Sequence, residues 1–340
     1  MYFRLKFIVI FIVIITVITA CQKESNSDWK GLIYPSHFSS PAQQVLNGRI
    51  FTKEGFYLGK KLFYDPILSK DSTISCGSCH QQSGAFSDVG QRLSIGIKGQ
   101  LGTRNAPALQ NLIWQPTYFH DGGVFNIDFI SLAPIENPLE MEESINNIIQ
   151  KLKKSQEYPS LFKSYFGSDE ITSARILTAI TQFQAMLISS NSKYDQYIQG
   201  KVNLTNDELD GKILFQQKCS SCHSGELFSD FQFRNNGIDS TKNNDLGRYR
   251  ITLNESDKFK FKTPSLRNIA KTYPYMHDGS ILTLEDVLKH YNSGVKSNVA
   301  LDSTLKNGIP MTSEEQRKII RFLHTLTDEE FLQNKLFSNN

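Results

Sequence analysis

Two short stretches carry the same arrangement of reactive side chains, Cys-x-x-Cys-His, at residues 76–80 and 219–223. In this pattern two thiols bond a porphyrin covalently and the adjacent histidine coordinates its iron, so it is typical of haem c attachment. The side chains concerned are Cys76, Cys79 and His80 in the first copy and Cys219, Cys222 and His223 in the second. Two haem c groups in one polypeptide predict a protein that moves electrons.

Three other interpretations of the two motifs stay open at this point. A Cys-x-x-Cys pair can be half of a zinc site, although zinc requires no histidine at the next position. It can be a thioredoxin-type redox pair, although the β-α-β context of such pairs is not visible here. It can form local disulfides, which would be a poor scaffold for a chain of 340 residues. Because the chain has only seven histidines, one directly after each pair favours haem c.

The N-terminus predicts export from the cytoplasm. A short basic lead is followed by an apolar run from Phe7 to Ala20, so we interpret residues 1–20 as a signal peptide. The run is too short to favour a membrane-spanning helix. Cys21 follows in a context that resembles a bacterial lipobox, and we expect residues 21–47 to be a lipidated N-terminus and tether. An ordinary signal peptide with a spare cysteine is the alternative. Haem c is also attached outside the cytoplasm, so we expect a periplasm-facing or surface lipoprotein of a Gram-negative envelope.

Charge and length bound the class of protein. The chain has 37 basic and 34 acidic residues, a net charge of +3, and nothing in it suggests a nucleic-acid partner. The length fits about two domains. We expect a mainly α fold with two cytochrome c-like haem domains in tandem, at residues 48–200 and 201–330, followed by a tail at residues 331–340.

A second similarity between the halves supports the tandem arrangement. Pro-x-Leu-x-Asn occurs at residues 107–111 and 264–268, and His-Asp-Gly follows at 120–122 and 277–279 with the same spacing. Each copy lies downstream of a haem motif. Two related units arranged head to tail are the simplest explanation.

Helical signals recur through both halves. Thr205 with Glu208, and Thr312 with Glu315, predict helix starts of the capping-box type. An apolar stripe predicts a long helix over residues 171–189. We expect the polar stretch at 192–203 to connect the units, and residues 235–256 to form a long surface loop.

The second axial position of each iron decides its chemistry. Between Gln81 and Phe119 there is no histidine or methionine, and Tyr118 is the only tyrosine, so the first iron has no obvious nearby ligand. Downstream of the second motif, Thr283 and Asp286 predict a short helix on which Tyr291 shares the leucine face, while His290 is rotated away. From these residues alone, a core tyrosine is the simpler interpretation of Tyr291.

At this point the sequence resembles a known family, the bacterial di-haem cytochrome c peroxidases and their MauG-type relatives from methylamine utilisation. The resemblance extends from about Gly48 to Leu326. Besides the haem motifs, it is carried by residues 104–107, 134–141, 262–268, 275–280 and Tyr291.

The resemblance implies a role for each matching position. The haem at His80 would be peroxidatic, and the haem at His223 would relay electrons. Glu140 matches a distal acid-base carboxylate, and Pro134 matches a proline beside it. Tyr291 matches an axial ligand of the second haem, which is methionine in the peroxidases and tyrosine in MauG-type enzymes. The implied calcium site would be formed by Asn105 with the backbone carbonyls of Thr272 and Pro274. Without the resemblance, Glu140 could equally be a surface carboxylate at a helix start, since it clusters with Glu142 and Glu143.

The sequence departs from the family pattern at three positions. Peroxidases that rest inactive carry a histidine on the loop near residues 94–96, where this chain has Ile97, so we expect a five-coordinate first haem. A phenolate ligand from Tyr291 would favour ferric iron and lower the potential of the second haem, which weakens the peroxidase interpretation. The tryptophan that usually lies between the haems corresponds to His120, with Trp114 nearby but offset.

The leading functional prediction is therefore a cytochrome c peroxidase-type oxidoreductase that reduces hydrogen peroxide with electrons from a small cytochrome or other periplasmic donor. A MauG-like oxidase that modifies a partner protein, and a non-enzymatic two-haem electron carrier, are the alternatives. The implied cofactors are two haem c groups and one calcium ion, and a homodimer is compatible with the resemblance.

Overall fold

Helices dominate the computed structural model, which describes residues 29–41, 46, 48–238, 244–298 and 300–339. The first half contains α1 Lys53–Tyr64, α2 Cys76–Cys79, α3 Leu132–Glu136, α4 Ile145–Lys154, α5 Tyr158–Phe166 and α6 Ser173–Gln184. The second half contains α7 Lys193–Ile198, α8 Asn206–Lys218, α9 Tyr249–Thr252, α10 Leu284–Lys289, α11 Ser313–His324 and α12 Glu329–Gln333. The predicted mainly α fold with cytochrome c-like halves is confirmed.

Short elements join these helices. Two strands, β1 Phe233–Arg234 and β2 Phe261–Lys262, pair antiparallel with Phe233 opposite Lys262. Single 3-10 turns lie at Pro66–Leu68, Gln82–Gly84, Ile97–Gly99, Leu112–Trp114, Ile127–Phe129, Glu255–Asp257, Ile269–Lys271 and Ser303–Leu305, and a π-turn lies at His290–Gly294. Residues Tyr34–Asn340 form one compact unit, and residues 29–33 belong to a separate one. The proposed domain boundaries near residues 200 and 330 stay predictions.

The core of each half is built where its first long helix crosses its last. In the first half α1 packs against α6, and buried side chains line the contact: Leu58, Leu62, Ile176 and Ile180. In the second half α8 packs against α11 around Phe215, Ile319, Phe322 and Leu323. Both crossings are close because each first helix presents a glycine: a Cβ on Gly59 would overlap the carbonyl oxygen of Ala179, and one on Gly211 would overlap that of Lys318.

The predicted helix starts agree with the observed ones, and one predicted length does not. Thr205 and Glu208 form the capping box of α8, and Thr312 and Glu315 that of α11. The helix expected over residues 171–189 is shorter because Thr172 caps it by accepting the Arg175 N–H. At its other end the chain turns after Gln184, and the Met186 N–H bonds to the carbonyl of Phe183.

The connection predicted at residues 192–203 contains a helix, α7, that the polar sequence concealed. A capping box between Ser192 and Asp195 starts it. The buried carboxylate of Asp195 accepts a hydrogen bond of 2.8 Å from each terminal nitrogen of Arg267. The Nε2 atom of His37 lies 3.1 Å from the same carboxylate. An ion pair therefore joins α7 to a distant segment, a contact that local hydrophobicity does not predict.

The internal repeat is visible as repeated geometry. In the two His-Asp-Gly loops, the N–H of Tyr118 bonds to the Val124 carbonyl, and that of Tyr275 bonds to the Ile281 carbonyl. The two repeat asparagines, Asn111 and Asn268, are buried and adopt left-handed conformations with φ of 55° and 56°.

Each repeat asparagine binds the chain just past the last long helix of its own half, which is α6 in the first half and α11 in the second. The N–H of Asn111 bonds to the Leu187 carbonyl, and that of Asn268 bonds to the Leu326 carbonyl. The side-chain oxygen of Asn268 accepts the Asp328 N–H at 2.7 Å.

Two terminal segments are bound to the body of the protein. The Phe38 ring centroid lies 4.4 Å from Cζ of Arg267, and the indole N–H of Trp114 donates to the Ser39 carbonyl. Part of the stretch that was assigned to the tether is therefore docked. At the other end, residues 329–339, which include most of the predicted tail, return to the first half and pack near Phe86.

Part of the stretch expected to be a surface loop at 235–256 is buried. Asn235 and Asp245 are buried, and Asp245 accepts two hydrogen bonds from Arg104. Among the described residues, no helix is both long and apolar enough to cross a membrane. The predicted signal peptide and Cys21 lie outside the described residues.

The glycine crossing of the second half yields a stability prediction. Gly211→Ala should lower the free energy of unfolding by about 1–3 kcal/mol, because the added methyl group overlaps the backbone of α11 and must push the helices apart. Denaturant unfolding of the holoprotein measures this. Gln216→Ala, at an exposed position of the same helix, is the control and should change little. Equal stabilities of the two variants would contradict the close crossing.

Candidate functional site: two haem attachment sites

The first motif forms one helical turn that ends at its histidine. The His80 N–H bonds to the Cys76 carbonyl at 2.9 Å, and the Ser75 N–H donates to the Ser78 hydroxyl at 3.0 Å. The His80 Nδ1 lies 2.6 Å from the Phe86 carbonyl oxygen. A carbonyl only accepts, so Nδ1 carries the proton and Nε2 keeps a lone pair, as an iron-binding imidazole requires.

The second motif repeats this arrangement at the end of α8. The His223 N–H bonds to the Cys219 carbonyl at 2.9 Å, and His223 Nδ1 donates to the Phe228 carbonyl at 2.9 Å. Both acceptor residues, Phe86 and Phe228, have positive φ, 63° and 53°, which turns their carbonyls toward the rings. The same device therefore fixes the tautomer of both histidines.

The electrostatics of both sites suit a neutral imidazole. Burial lowers the pKa of His80 to about 4 and also lowers that of His223. The four motif cysteines form no disulfide with one another or with the rest of the described chain, so each sulfur is available for covalent attachment. A cavity of about 390 Å³ opens beside the first motif and is lined by Tyr64, His80, Gln82 and Asn339 among others. These residues fit a covalently attached haem with a histidine axial ligand.

Glu140 lies beside the first motif, as the resemblance implied. The negative charge of Glu140 raises the pKa of both Cys76 and Cys79, so the carboxyl is within electrostatic reach of this site. Burial raises the pKa of Glu140, and a hydrogen bond of 2.8 Å from the Asn137 amide acts in the opposite direction. The Pro134 carbonyl accepts the Met141 N–H, so the proline adjoins the same turn.

The neighbouring carboxylates show that Glu140 differs from a surface glutamate. Glu142 pairs with Lys70 and Lys98, and Glu143 pairs with Lys151. Within the described part of the chain, no lysine or arginine pairs with Glu140. The helix that a surface role would have required does not begin there, since α4 starts after Ser144.

The loop at residues 94–97 lies between the first motif and Glu140. The Ile97 N–H donates to the Glu140 carbonyl at 2.9 Å, and a Cβ on Gly96 would overlap the carbonyl oxygen of Leu139. The Sγ of Cys79 is 4.0 Å from the Ile95 carbonyl oxygen. The Ile97 side chain is buried, so this loop presents no metal-binding side chain at that position.

Tyr291 lies beside the second motif, in the π-turn that continues α10. Thr283 caps α10 by accepting the Asp286 N–H, as predicted. Tyr291 packs against the second core, as Cys219 does. Burial raises the pKa of its hydroxyl, a hydrogen bond with Asn236 acts in the opposite direction, and the motif cysteines contribute a further increase. π-turns inside helices occur frequently at functional sites, and this one carries the predicted ligand.

His290, which helix periodicity placed off the leucine face, is buried and binds the same asparagine as Tyr291. Its Nε2 donates to the Asn236 carbonyl at 2.9 Å. The Asn236 amide also lies 3.2 Å from the Met276 sulfur, so one asparagine touches three side chains near the second motif. Asn236 could not be found from the sequence because its partners near the second motif, Met276 and His290, are 40 and 54 residues away. Sequence reasoning also missed Asn137, whose position three residues before Glu140 was the available signal.

The residues proposed for calcium converge on one short segment. The Asn105 amide donates to the carbonyls of Gln91 and Arg92 at 3.0 and 3.3 Å, and the Gly90 N–H bonds to the Tyr273 carbonyl, between Thr272 and Pro274. None of the described residues forms a cluster of three or more His, Cys, Asp or Glu side chains that could hold a metal ion. The proposed calcium ligands are one side-chain amide and two backbone carbonyls, so they are not side chains of the four types in such a cluster.

The two candidate side chains for the inter-haem path have different partners. His120 is half-buried, donates through Nε2 to the Asn105 carbonyl and has its own carbonyl bonded to the Lys262 N–H. Trp114 packs edge-on against Phe38, on the docked N-terminal segment.

Comparisons with known proteins agree with this geometry. The family model described as di-haem cytochrome c peroxidase matches residues 53–203. The cytochrome c551 peroxidase of Nitrosomonas europaea is 39% identical over 279 residues, 80% of each chain. The methylamine utilization protein MauG of Methylorubrum extorquens is 35% identical over 284 residues, 82% of this chain and 79% of that one. A crystal structure of a MauG-like protein associated with microbial copper homeostasis has a TM-score of 0.83 at 32% identity, covering 93% of this chain and 99% of that one.

Fold and site together define a mainly helical protein with two sites for covalent c-type haem. The chain belongs to the di-haem cytochrome c peroxidase and MauG family of oxidoreductases, so the predicted family is confirmed. The family carries two c-type haems, which the two motif sites accommodate.

Proposed function

We propose that the protein reduces hydrogen peroxide at the His80 haem with electrons delivered through the His223 haem. The observation that carries this proposal is Glu140: a largely buried carboxyl beside the first motif, without a cationic partner among the described residues and held by the Asn137 amide. The similarity to cytochrome c peroxidases supports it. A bound haem at this site would supply an iron that binds peroxide and accepts electrons.

Glu140 moves the proton that this reaction requires. As a carboxylate it would accept a proton from one peroxide oxygen and donate that proton to the other oxygen, which would leave as water. The complete reaction consumes one hydrogen peroxide, two protons and two electrons and yields two waters. Positioned proton transfer of this kind contributes about 100- to 10,000-fold to the rate. Pro134, beside the same turn, limits the space around the carboxyl.

The remaining assignments are proposals of the same kind. The electron donor is a small cytochrome or another periplasmic redox protein, and Cys21 anchors the protein to the membrane through lipid. A calcium ion is bound by Asn105 and the carbonyls of Thr272 and Pro274. Support for the calcium site comes from residues 90–92, which bond to both Asn105 and the 272–274 segment.

Replacing Glu140 tests the proton-transfer role. Glu140→Gln should keep both haems and lower peroxide turnover by about 100- to 10,000-fold, because the amide cannot accept the proton. In the wild type the rate should fall as pH decreases and Glu140 becomes protonated. Burial raises its pKa, so this fall should occur at a higher pH than for an exposed glutamate. Steady-state turnover with reduced cytochrome c measures both effects.

Glu142→Gln is the matched control for this experiment, because Glu142 is two residues away and pairs with surface lysines. It should turn over peroxide like the wild type. Unchanged turnover in Glu140→Gln would remove Glu140 from the mechanism.

The coordination of the first haem gives an independent prediction. Because Ile97 is buried and occupies the position of the histidine in peroxidases that rest inactive, the oxidised protein should show a high-spin ferric signal in electron paramagnetic resonance without prior reduction. Ile97→His should weaken that signal by supplying a ligand. A wild-type spectrum without a high-spin signal would contradict five-coordination.

A second candidate function is oxidation of residues on a partner protein, as in MauG-type enzymes. The observation that favours it is Tyr291, which is half-buried near the second motif at the position where MauG-type enzymes carry a tyrosine ligand. A phenolate ligand stabilises ferric iron and lowers the potential of the haem, so electrons from ordinary cytochromes would enter it less readily.

Exchange of this ligand distinguishes the two functions. Tyr291→Met should raise the potential of the second haem, because a thioether stabilises ferric iron less than a phenolate does. If peroxide reduction is the function, wild type and variant should both oxidise reduced cytochrome c rapidly with peroxide. Slow oxidation by the wild type that becomes rapid in Tyr291→Met would favour partner oxidation. Tyr194→Phe, which removes a hydroxyl from the same core, is the control.

A further inference from the structure

The loops that hold the two motif histidines are supported by different parts of the chain. In the second half, the loop at residues 224–228 presents the Phe228 carbonyl to His223. Two donors from the repeat segment of the same half hold that loop. The Ser265 hydroxyl donates to the Leu227 carbonyl at 2.7 Å, and Arg267 Nε donates to the Glu226 carbonyl at 2.7 Å.

The first half lacks these donors at the corresponding repeat positions. Ala108 stands where the second half has Ser265, and its methyl group cannot donate a hydrogen bond. Gln110 stands where the second half has Arg267, and its amide donates instead to the Arg267 carbonyl in the other half. The loop at residues 81–86 therefore needs support from another part of the chain.

The C-terminal segment at residues 329–339 provides that support. The Gln82 amide nitrogen donates to the Phe331 carbonyl at 3.1 Å and to the Asn334 carbonyl at 2.8 Å. The Phe331 ring packs against Phe86, the residue whose carbonyl accepts from His80, with ring centroids 5.9 Å apart. Loop and segment thus contact each other through both a polar and an aromatic pair.

The segment is itself fixed to the first long helix. The Tyr64 hydroxyl donates to the Phe337 carbonyl at 2.8 Å, and Lys60 Nζ donates to the Leu336 carbonyl at 3.0 Å. The buried Phe337 ring packs against Phe56 of the same helix. The segment therefore spans from α1 to the loop.

We propose that residues 329–339 are part of the first haem site and that Gln82 is a positioning residue for its proximal histidine. By holding the loop, Gln82 keeps the Phe86 carbonyl at hydrogen-bond distance from His80 Nδ1. A hydrogen bond to the outer ring nitrogen makes the imidazole a stronger donor to iron, which favours the ferric state. The C-terminal segment thereby tunes the first haem alone. This inference rests on His80 as the axial ligand and not on the proposed peroxide chemistry.

The test compares the two haems within one molecule. Gln82→Met removes both donated hydrogen bonds without adding charge, and Gln333→Met makes the same exchange at an exposed position of α12. Spectroelectrochemistry of the mature holoprotein measures both midpoint potentials. Gln82→Met should raise the potential of the first haem and lower its ferrous iron–histidine stretching frequency. The second haem, and both haems of Gln333→Met, should keep wild-type values.

A second variant approaches the same segment from its other end. Tyr64→Phe removes only the hydroxyl that donates to Phe337, and it should shift the first haem in the same direction by a smaller amount. It supplies the decisive measurement if Gln82→Met does not mature with two haems. Potentials unchanged in either measured variant, or equal shifts of the two haems, would overturn the proposal. Because no turnover is measured, these outcomes are independent of the role of Glu140.

Discussion

Both haem sites depend on one hydrogen bond, from Nδ1 of the motif histidine to a phenylalanine carbonyl. It lies at 2.6 Å for His80 and 2.9 Å for His223. Without it the imidazole could rotate or present the wrong nitrogen, and covalent attachment through the cysteines would not by itself fix the axial ligand. The acceptor residues take positive φ values, a conformation that costs free energy for phenylalanine and persists only when surrounding packing imposes it. The cores, loops and terminal segments of both halves can be understood as supplying that packing.

The two halves are joined by the repeat itself. The Asn268 amide donates to the Ser189 hydroxyl at 2.9 Å, and Gln110 donates to the Arg267 carbonyl, so each copy of Pro-x-Leu-x-Asn contacts the other half. These groups are buried, and a buried amide left without partners costs about 1–3 kcal/mol. A network of this kind constrains how the halves can pack against each other, and therefore how their haem sites are oriented.

The sequence predicts what is local and repeated, and it fails where distant segments meet. Capping boxes at Thr205 and Thr312 use residues three apart, so the helix starts were predictable. Glu140 and Tyr291 lie beside the motifs where the family resemblance put them, although their roles stay predictions. Helix α7 was missed because the stretch is polar, although its capping box of Ser192 and Asp195 is as local a signal as the other two. The return of the C-terminal segment was missed because its contacts are distant in the chain: Gln82 and Asn334 are 252 residues apart.

The two halves share the arrangement around the motif histidine. They diverge in the segment between the His-Asp-Gly loop and the last long helix, which is α6 in the first half and α11 in the second. In the first half this segment, residues 123–172, is long and contains Pro134 and Glu140. In the second half it is residues 280–312, and it contains the π-turn with Tyr291. The ligand or acid placed opposite the proximal histidine decides what a haem does. Under the proposed function, two copies of one scaffold divide peroxide chemistry and electron relay between them by changing this one segment, while the repeat asparagines and the histidine-to-carbonyl hydrogen bonds stay the same.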